Sequence, residues 1–385
     1  MIMVLQAVFW ICFFMLLHSY VIYPLSLILL SKNNARQDEA IWAGNLPKVS
    51  ILVSAYNEEK EIDAKISNIA QINYPTTLIE FLIGVDGAQD RTAEIVRCRN
   101  IPRLKLYDFP ERRGKVAVLN ELAELAGGEI LLFTDANTEL DNNALNNLVK
   151  HFESRSVGGV CGRLVLRSSK IAVGSAVESL YWRFESLLKE LEGNRGAALG
   201  ANGGIYAVRK SCFVPFETKF PIADDFVLPL KIIEKGYEFI YEPSALAFEE
   251  SGNFVSEFKR KVRIGAQDFN ALRIVKPLLN PSRGFVAYAM WSHKIFRWFV
   301  PHFLLLAFFS NLFLVSHGGF LYFTMLMQIS FYLAALIGTI GLLLNKNIPI
   351  FAHIGYFVSA NAALFVGFIK AIFKIQGTKW EVSRD

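Results

Sequence analysis

Three stretches without a single charged side chain constrain this 385-residue chain more than any other feature: residues 1–31, 298–345 and 347–369. A helix needs about 20 apolar residues to cross a bilayer. The first stretch is long enough for one crossing, the second for two and the third for one. The first has no basic start, its apolar run exceeds the ~7–15 residues of a secretory signal, and no small-x-small site follows it. It reads as a retained anchor. Residues 32 to about 284 have an ordinary globular composition. This segregation explains a chain that is 53% hydrophobic and 19% charged, too apolar for a soluble enzyme and too charged for a bundle of membrane helices. The expected organisation is an N-terminal transmembrane helix over 1–31, a globular domain over 45–284 whose end (254–290) forms interfacial helices, and a C-terminal transmembrane region over 295–373 with about three helices.

The formal net charge is +5. Lys32 and Arg36 follow the first apolar stretch, and Lys294 and Arg297 precede the second. Positive flanks favour the cytoplasmic side, which puts the middle domain in the cytoplasm. Four crossings would leave the C-terminus outside, a poor match to Lys374, Lys379 and Arg384, so the number of crossings stays open. The four cysteines, Cys12, Cys98, Cys161 and Cys212, have no metal-like spacing and read as reduced structural thiols. The dispersed histidines read as packing or interfacial groups. No nucleic-acid partner is expected, and the oligomeric state is open.

Within the middle domain, short apolar runs alternate with helical patterns. Strands are expected at 49–55, 81–85, 104–107 and 129–134. Helices are expected at 59–70, 91–99 and 115–126, the last with Val118, Leu119, Leu122 and Leu125 on one face and stopped by Gly127-Gly128. Alternation of this kind predicts an α/β fold, a mostly parallel sheet with helices on both faces. Such sheets bind ligands outside the C-terminal ends of their strands.

Those ends are polar. The first carries Ala55-Tyr56-Asn57-Glu58, the second Asp86-Gly87-Ala88-Gln89-Asp90 and the fourth Asp135-Ala136-Asn137. Singly, Asn57 or Asp90 is as well explained by helix capping. Together the endings make one rim suited to a nucleotide and a divalent cation. Asp135 and Asn137 offer the oxygen ligands a hard cation takes, or else cap a helix over 140–152. Arg112-Arg113-Gly114-Lys115 opens a helix, where phosphate binds well, or is a solvated basic loop. Gly203 and Gly204 precede a strand at 205–208 and allow close approach to a ligand, or simply turn the chain. Asp224 and Asp225 open a helix over 226–235. They either cap it and complement its dipole or supply a general base, since adjacent acids raise one another's pKa. Residues 257–273 interleave Lys259, Arg260, Lys261 and Arg263 with Phe258, Val262 and Phe269. This stretch suits an amphipathic helix at a membrane surface or a cap over the site.

Taken in order, these motifs resemble the family-2 glycosyltransferases, which have a GT-A, Rossmann-like fold. The resemblance runs from about residue 47 to 273. It rests on Ser50-Ile-Leu-Val-Ser-Ala-Tyr-Asn-Glu58, Asp86-Gly87, Gly114-Lys115-Val-Ala-Val-Leu-Asn120, Asp135-Ala-Asn137 and Asp224-Asp225, with Gly236-Tyr237, Tyr241-Glu242-Pro243 and Lys261-Val-Arg263 behind them. One leading span and a C-terminal cluster of spans is similar to the branch with chitin-oligosaccharide, hyaluronan and poly-N-acetylglucosamine synthases. The resemblance implies a nucleotide-sugar donor of the UDP-sugar class and an inverting transfer in cell-surface polysaccharide or glycolipid synthesis at a bacterial inner membrane. It implies that Ala55, Tyr56, Glu58, Asp86, Lys115 and Asp135 hold the nucleotide and that Asp135 and Asn137 bind Mg²⁺ or Mn²⁺. It further implies Asp225 as general base beside Asp224, Arg263 facing the diphosphate, and Gly203, Gly204 and Asp224 near the sugars.

Two departures stand out. The metal motif D-x-D ends here in Asn137. The Q-x-x-R-W of processive synthases is Arg260-Lys261-Val262-Arg263-Ile264, without the glutamine and tryptophan. The expectation is therefore a single addition to a lipid-linked or other glycan acceptor in the bilayer. A processive synthase that extrudes its product is the alternative, and a non-catalytic nucleotide-binding membrane protein is the rival from another class.

Overall fold

The computed structural model describes residues 1–31, 46–167, 174–346 and 348–375. Lys32, Arg36, Lys379 and Arg384 lie outside the described residues. The chain opens with two apolar helices, α1 (Ile2–Leu17) and α2 (Tyr23–Ser31), joined through a π-helical turn at His18–Ile22. Then β1 (Val49–Ala55), α3 (Ile62–Ala70), β2 (Ile79–Asp86), α4 (Thr92–Cys98), β3 (Leu104–Phe109), α5 (Lys115–Leu125) and β4 (Ile130–Phe133) alternate as the sequence pattern requires. The short β5 (Glu139–Leu140) and α6 (Ala144–Val149) follow, then β6 (Val157–Arg167), α7 (Gly174–Gly193), β7 (Tyr206–Arg209), α8 (Asp224–Glu234), β8 (Glu238–Glu250) and α9 (Phe254–Val275).

The eight strands form one sheet, ordered β3-β2-β1-β4-β7-β6-β8-β5. The β3-β2-β1-β4 half is parallel, and β6 pairs β8 parallel; β7 runs antiparallel to both β4 and β6, and β5 antiparallel to β8. Strands β1 and β4 are buried on both faces, so they read as unbroken apolar runs. Leu140, expected in a helix, instead pairs with Ala247 in β5, and the helix starts at Ala144.

One sheet face is covered by α3 and α6, through Ile62, Ile66, Leu145 and Leu148. The other face packs against α5 and α8, and its core does not stop there. It continues through Phe269 of α9 into Met290 and Trp298, back to Tyr23 and Leu27 of α2, and on to Ala371. The globular part and the apolar helices thus share one core. The C-terminal helices are α10 (Phe285–Ala289), α11 (Phe296–Trp298), α12 (Val300–Leu314), α13 (Gly319–Leu343) and α14 (Phe351–Ile372). Three helical stretches, Ile2–Leu30, Gly319–Leu343 and Phe351–Ile372, are long and apolar enough to cross a bilayer, and Phe285–Trp298 with Val300–Leu314 makes a fourth if the pair, bent by 58°, counts as one. Their outer surfaces carry exposed large apolar side chains such as Phe13, Leu29, Phe313, Phe323 and Leu336.

Helices α9 and α14 meet almost backbone to backbone. A methyl group at Gly367 would lie 2.8 Å from the Val262 carbonyl oxygen and 2.9 Å from the Ala266 nitrogen. This contact fixes the helix that carries Arg260 and Arg263. Overpacking a core of this kind costs roughly 1–3 kcal/mol. Gly367→Leu is therefore expected to lower the thermal midpoint in detergent by several degrees. Gly319→Ala, at a position with no neighbour within 4 Å, leaves it unchanged.

Candidate active site

The polar strand ends gather on one edge of the sheet, and several side chains there bind the loops to one another. Asn57 Oδ1 accepts from the Gln89 N–H at 2.8 Å, Asp90 Oδ2 from the Glu59 N–H at 3.0 Å, and Thr92 Oγ1 from the Glu58 N–H at 2.8 Å. Asn57 and Asp90 therefore tie the β1 and β2 exit loops together. Asp86, buried, accepts from the Arg113 N–H at 2.6 Å and the Gly114 N–H at 2.8 Å. The two loops touch so closely that a Cβ on Gly87, at φ +63°, would lie 2.6 Å from the Arg112 nitrogen. Asp86 thus takes the Arg113 and Gly114 amides just before α5, and not those of its first residues. Arg112 lies over the Tyr56 ring at 3.7 Å, and Arg113 pairs with Glu121 at 2.6 Å. Of the basic turn, only Lys115 faces inward to the cavity described below. Ala55 is buried, and Ala55, Tyr56 and Asp86 border the rim, whereas Glu58 reaches the cavity wall.

Lys115 is the centre of the site. Its ammonium donates to Asp135 Oδ1 at 2.8 Å and pairs with Asp224 Oδ1 at 3.0 Å. Burial alone would lower its pKa, but Asp135, Asp224 and Asp225 outweigh this and hold it above the usual lysine value. Burial likewise pushes Asp135 up, and Lys115 and Lys65 more than reverse it, leaving Asp135 below its ordinary value. Lys65 sits beneath, buried on the apolar face of α3, and donates to Thr134 Oγ1 at 2.7 Å and the Thr138 carbonyl at 2.6 Å. Burial lowers its pKa to about 7 against the pull of Asp135 and Glu139.

Neither acidic pair is a helix cap. The helix after Asp135-Ala136-Asn137 begins only at Ala144, and α8 is capped by Ala223 with no side-chain bond. Asp224 instead takes a hydrogen bond from the Tyr206 hydroxyl at 2.7 Å as well as the Lys115 ion pair. Tyr206 is in turn stacked on Phe133, their rings 4.7 Å apart. Asp225 is different. Among the described residues its carboxylate has no hydrogen-bond partner, and burial followed by the Asp224 charge raises its pKa to about 6. Asp225 Oδ2 and Asp135 Oδ2 both point at Gly203. A Cβ there would lie 3.2 and 3.3 Å from them, which is why a residue without a side chain stands between the two acids. Gly204 is just as tight against Thr138. Asn202 of the same turn is held by Lys189, whose ammonium reaches Asn202 Oδ1 at 2.5 Å.

Asn137 donates from Nδ2 to Glu249 Oε1 at 3.1 Å, and Arg260 pairs with the same oxygen at 3.3 Å. Asn137 Oδ1 accepts no hydrogen bond from a described residue. Asp135 and Asn137 thus present carboxylate and amide oxygens, a donor set that fits a hard divalent cation. Among the described residues no cluster of three His, Cys, Asp or Glu side chains is arranged to hold a metal by itself, so water or ligand oxygens would complete any coordination. Arg263 lines the same wall. Burial and Arg260 lower its pKa, while Asp135 and Asp225 raise it, which places it in the field of both acids.

Lys115, Asp135, Asn137, Asp224, Asp225 and Arg263 line one cavity of about 1240 Å³, and Lys65 and Tyr206 stand behind its wall. It runs from Glu58 and Asp135, past Asp225, to Tyr20 of the N-terminal helices and Tyr356, Phe357 and Leu364 of α14. The site therefore opens both to the strand ends and to the apolar helices. Sequence reasoning missed Tyr206, Lys65, Lys189 and Glu249. A lysine on the otherwise apolar Ile62–Ile66–Ile69 face was the one available signal for Lys65.

Residues 50–209 match the sequence model described as glycosyl transferase family 2. Similar curated proteins include poly-beta-1,6-N-acetyl-D-glucosamine synthases of Staphylococcus epidermidis, 28% identical over 229 residues (58% of this chain and 53% of the relative), and of Staphylococcus aureus strain COL, 26% identical over 208 residues (53% and 50%). The chain matches about half the length of these relatives. A solved mannosyltransferase of Pyrobaculum calidifontis, in complex with GDP-Man and Mn²⁺, superimposes with a TM-score of 0.73 at 21% identity, over 97% of this chain and all of that one. Its fold is shared.

Removing one partner of a buried ion pair costs about 3–5 kcal/mol. Lys115→Met is expected to lower the thermal midpoint of the nucleotide-free protein near pH 7.5, where Asp135, Asp224 and Asp225 lose their common cation. The deficit shrinks as pH falls and the acids take up protons, and thermal scans at several pH values check both.

Proposed function

The chain belongs to glycosyl transferase family 2 through residues 50–209, and from that premise we propose that it is an inverting, metal-dependent membrane glycosyltransferase. In this reading it moves a sugar from a nucleotide-sugar to a membrane-associated glycan acceptor in polysaccharide or glycolipid synthesis. The observation that carries the reading is Asp225: a carboxylate without a partner, with a raised pKa, facing the cavity between the nucleotide rim and the apolar helices. A general base works best when its pKa lies near the operating pH.

In this mechanism the base and ribose lie against Ala55, Tyr56, Glu58 and Asp86, and the diphosphate reaches Lys115. Asp135 and Asn137 would hold a divalent cation, Mg²⁺ or Mn²⁺, which would supply positive charge for the departing diphosphate. Arg263 adds a second positive charge on the cavity wall. Asp224, fixed by Lys115 and Tyr206, keeps its neighbour's pKa up and stays out of the proton transfer. Asp225 takes the proton from the acceptor hydroxyl as that oxygen forms its bond to the anomeric carbon and the bond to the diphosphate breaks. One displacement inverts the configuration. The Mn²⁺ in the Pyrobaculum complex supports the metal assignment. The three apolar helical stretches, four if the bent pair counts as one, support a multi-pass membrane location.

The reading is tested by nucleotide release from a panel of nucleotide-sugars, with a membrane lipid extract as acceptor source. Release with one donor, abolished by chelation and restored by Mg²⁺ or Mn²⁺, is the expected outcome. Nucleotide binding without release from any donor would return the chain to the non-catalytic rival.

Two further outcomes follow from Asp225. Asp225→Asn lowers kcat by roughly 10²–10⁴ without loss of nucleotide affinity. Since the base acts deprotonated, activity is retained above pH 6 and falls about tenfold per pH unit below the Asp225 pKa of about 6. A profile flat from pH 7 to pH 4.5 would remove Asp225 from that role.

A further inference from the structure

Beyond Asp225, toward the apolar helices, the cavity wall carries three polar side chains that the mechanism does not use. Gln267 and Asp268 come from α9, one turn after Arg263, and Lys294 comes from the stretch before α11. Among the described residues none of the three has a hydrogen-bond or ion-pair partner. Lys294 lies 5.6 Å from the Phe226 ring, and its ammonium is 4.0 Å from where a Cβ on Gly200 would stand, a point 3.8 Å from the Asp225 carbonyl oxygen. It therefore lies on the same side of the cavity as the Gly200 turn and the start of α8. Phe226 and Trp298 meet edge to face beside it, 5.5 Å between ring centroids, and both line the cavity.

Polar groups left without partners at a cavity wall are costly unless a ligand or water satisfies them. Here a donor, an acceptor and an amide that is both face a space bounded by aromatic carbon. Neutral sugars offer the complement: ring hydroxyls for the polar groups and C–H faces for the rings. A lipid phosphate fits less well. The neighbours of Lys294 on this wall are engaged, Arg297 with Glu185 and His293 with Glu192 and Glu185. The Lys294 ammonium shares this part of the wall with the Asp268 carboxyl group.

We propose that Gln267, Asp268 and Lys294, beside Trp298 and Phe226, form the acceptor subsite and recognise the hydroxyls of a neutral sugar unit rather than a phosphate head group. The assignment rests on the glycosyltransferase reading and extends it to the acceptor class.

The test uses the full chain in nanodiscs with the donor found by nucleotide release. Acceptors are neutral oligosaccharides of hexose and N-acetylhexosamine, and a polyprenyl phosphate bearing no sugar. The wild type is expected to transfer to an oligosaccharide. Gln267→Ala, Asp268→Asn and Lys294→Met each raise the acceptor KM tenfold or more while nucleotide Kd, which also reports folding, stays within twofold. Calorimetry of the oligosaccharide on protein loaded with nucleoside diphosphate reads the same subsite without turnover and shows binding that the variants weaken. Unchanged acceptor KM in all three variants, no oligosaccharide binding, or transfer to the polyprenyl phosphate alone overturns the subsite while leaving a working transferase. No nucleotide release from any donor overturns the glycosyltransferase reading itself.

Discussion

The arrangement of the site depends on one ammonium group. Three carboxylates, Asp135, Asp224 and Asp225, are brought together at the end of β4 and the start of α8, and like charges in a poorly solvated place repel strongly. Lys115 makes this tolerable by bonding to Asp135 and Asp224 at once. Because it stands in the first turn of α5, it also fixes the mutual position of three elements that are far apart in sequence. Tyr206 supplies a second anchor for Asp224 from the antiparallel strand β7. The result is an unequal pair of neighbours. Asp224 is fully engaged, and Asp225 has no partner and a raised pKa. Two adjacent identical residues receive different chemical character from their surroundings alone.

The second constraint is mechanical. One core runs from the sheet through Phe269 and Trp298 into the apolar helices, and the glycine contact of α9 with α14 binds the arginine-bearing helix to the last of them. The cavity lies at this junction rather than on the outer edge of the sheet. Nucleotide-facing groups come from strand ends, and the opposite wall comes from α9 and α14. In the proposed reaction the donor would enter from the strand-end side and the acceptor from the other, with Asp225 between them.

Much of this was legible in the sequence for a physical reason. Strands buried on both faces must be unbroken apolar runs, so β1, β2 and β4 stand out, and the polar residues that end each run mark the rim. The resemblance to family-2 glycosyltransferases added roles that spacing could not. What the sequence hid was partnership. Asp86 reads as a ligand group, yet both its oxygens accept backbone N–H bonds. Asn57 and Asp90 read equally as caps; Asn57 instead ties two loops, and Asp90 does so while also accepting the N–H of Thr92 at the start of α4. The tight glycines could have been plain turns, and only the three-dimensional neighbours show that Gly203 lies between two carboxylates. Leu140 was misplaced because a two-residue strand has no periodicity to detect.

The basic residues before the second apolar segment carry a different lesson. Lys294 and Arg297 read as flanking charges that set orientation, which requires them to face water or lipid head groups. The structure turns them inward. Arg297 pairs with Glu185, and His293 bonds Glu192 Oε1 at 2.6 Å, the same oxygen that accepts from the Tyr23 hydroxyl at 2.6 Å. Glu192 also accepts from the Leu199 N–H at 3.1 Å, directly before the Gly200–Gly204 turn. Burial works against the charge on both glutamates, but Arg297 and His293 on Glu185, and His293 on Glu192, outweigh it and hold their pKa values below the ordinary range. Opposite charges buried this way are weak sources of stability, and removing either partner is costly. Their effect is positional. Helix α2, helix α7 and the segment before α11 are locked in one register, and the turn that faces Asp135 and Asp225 hangs directly from that lock. A shift of the apolar helices relative to the sheet therefore acts on the site through Glu192 and Leu199.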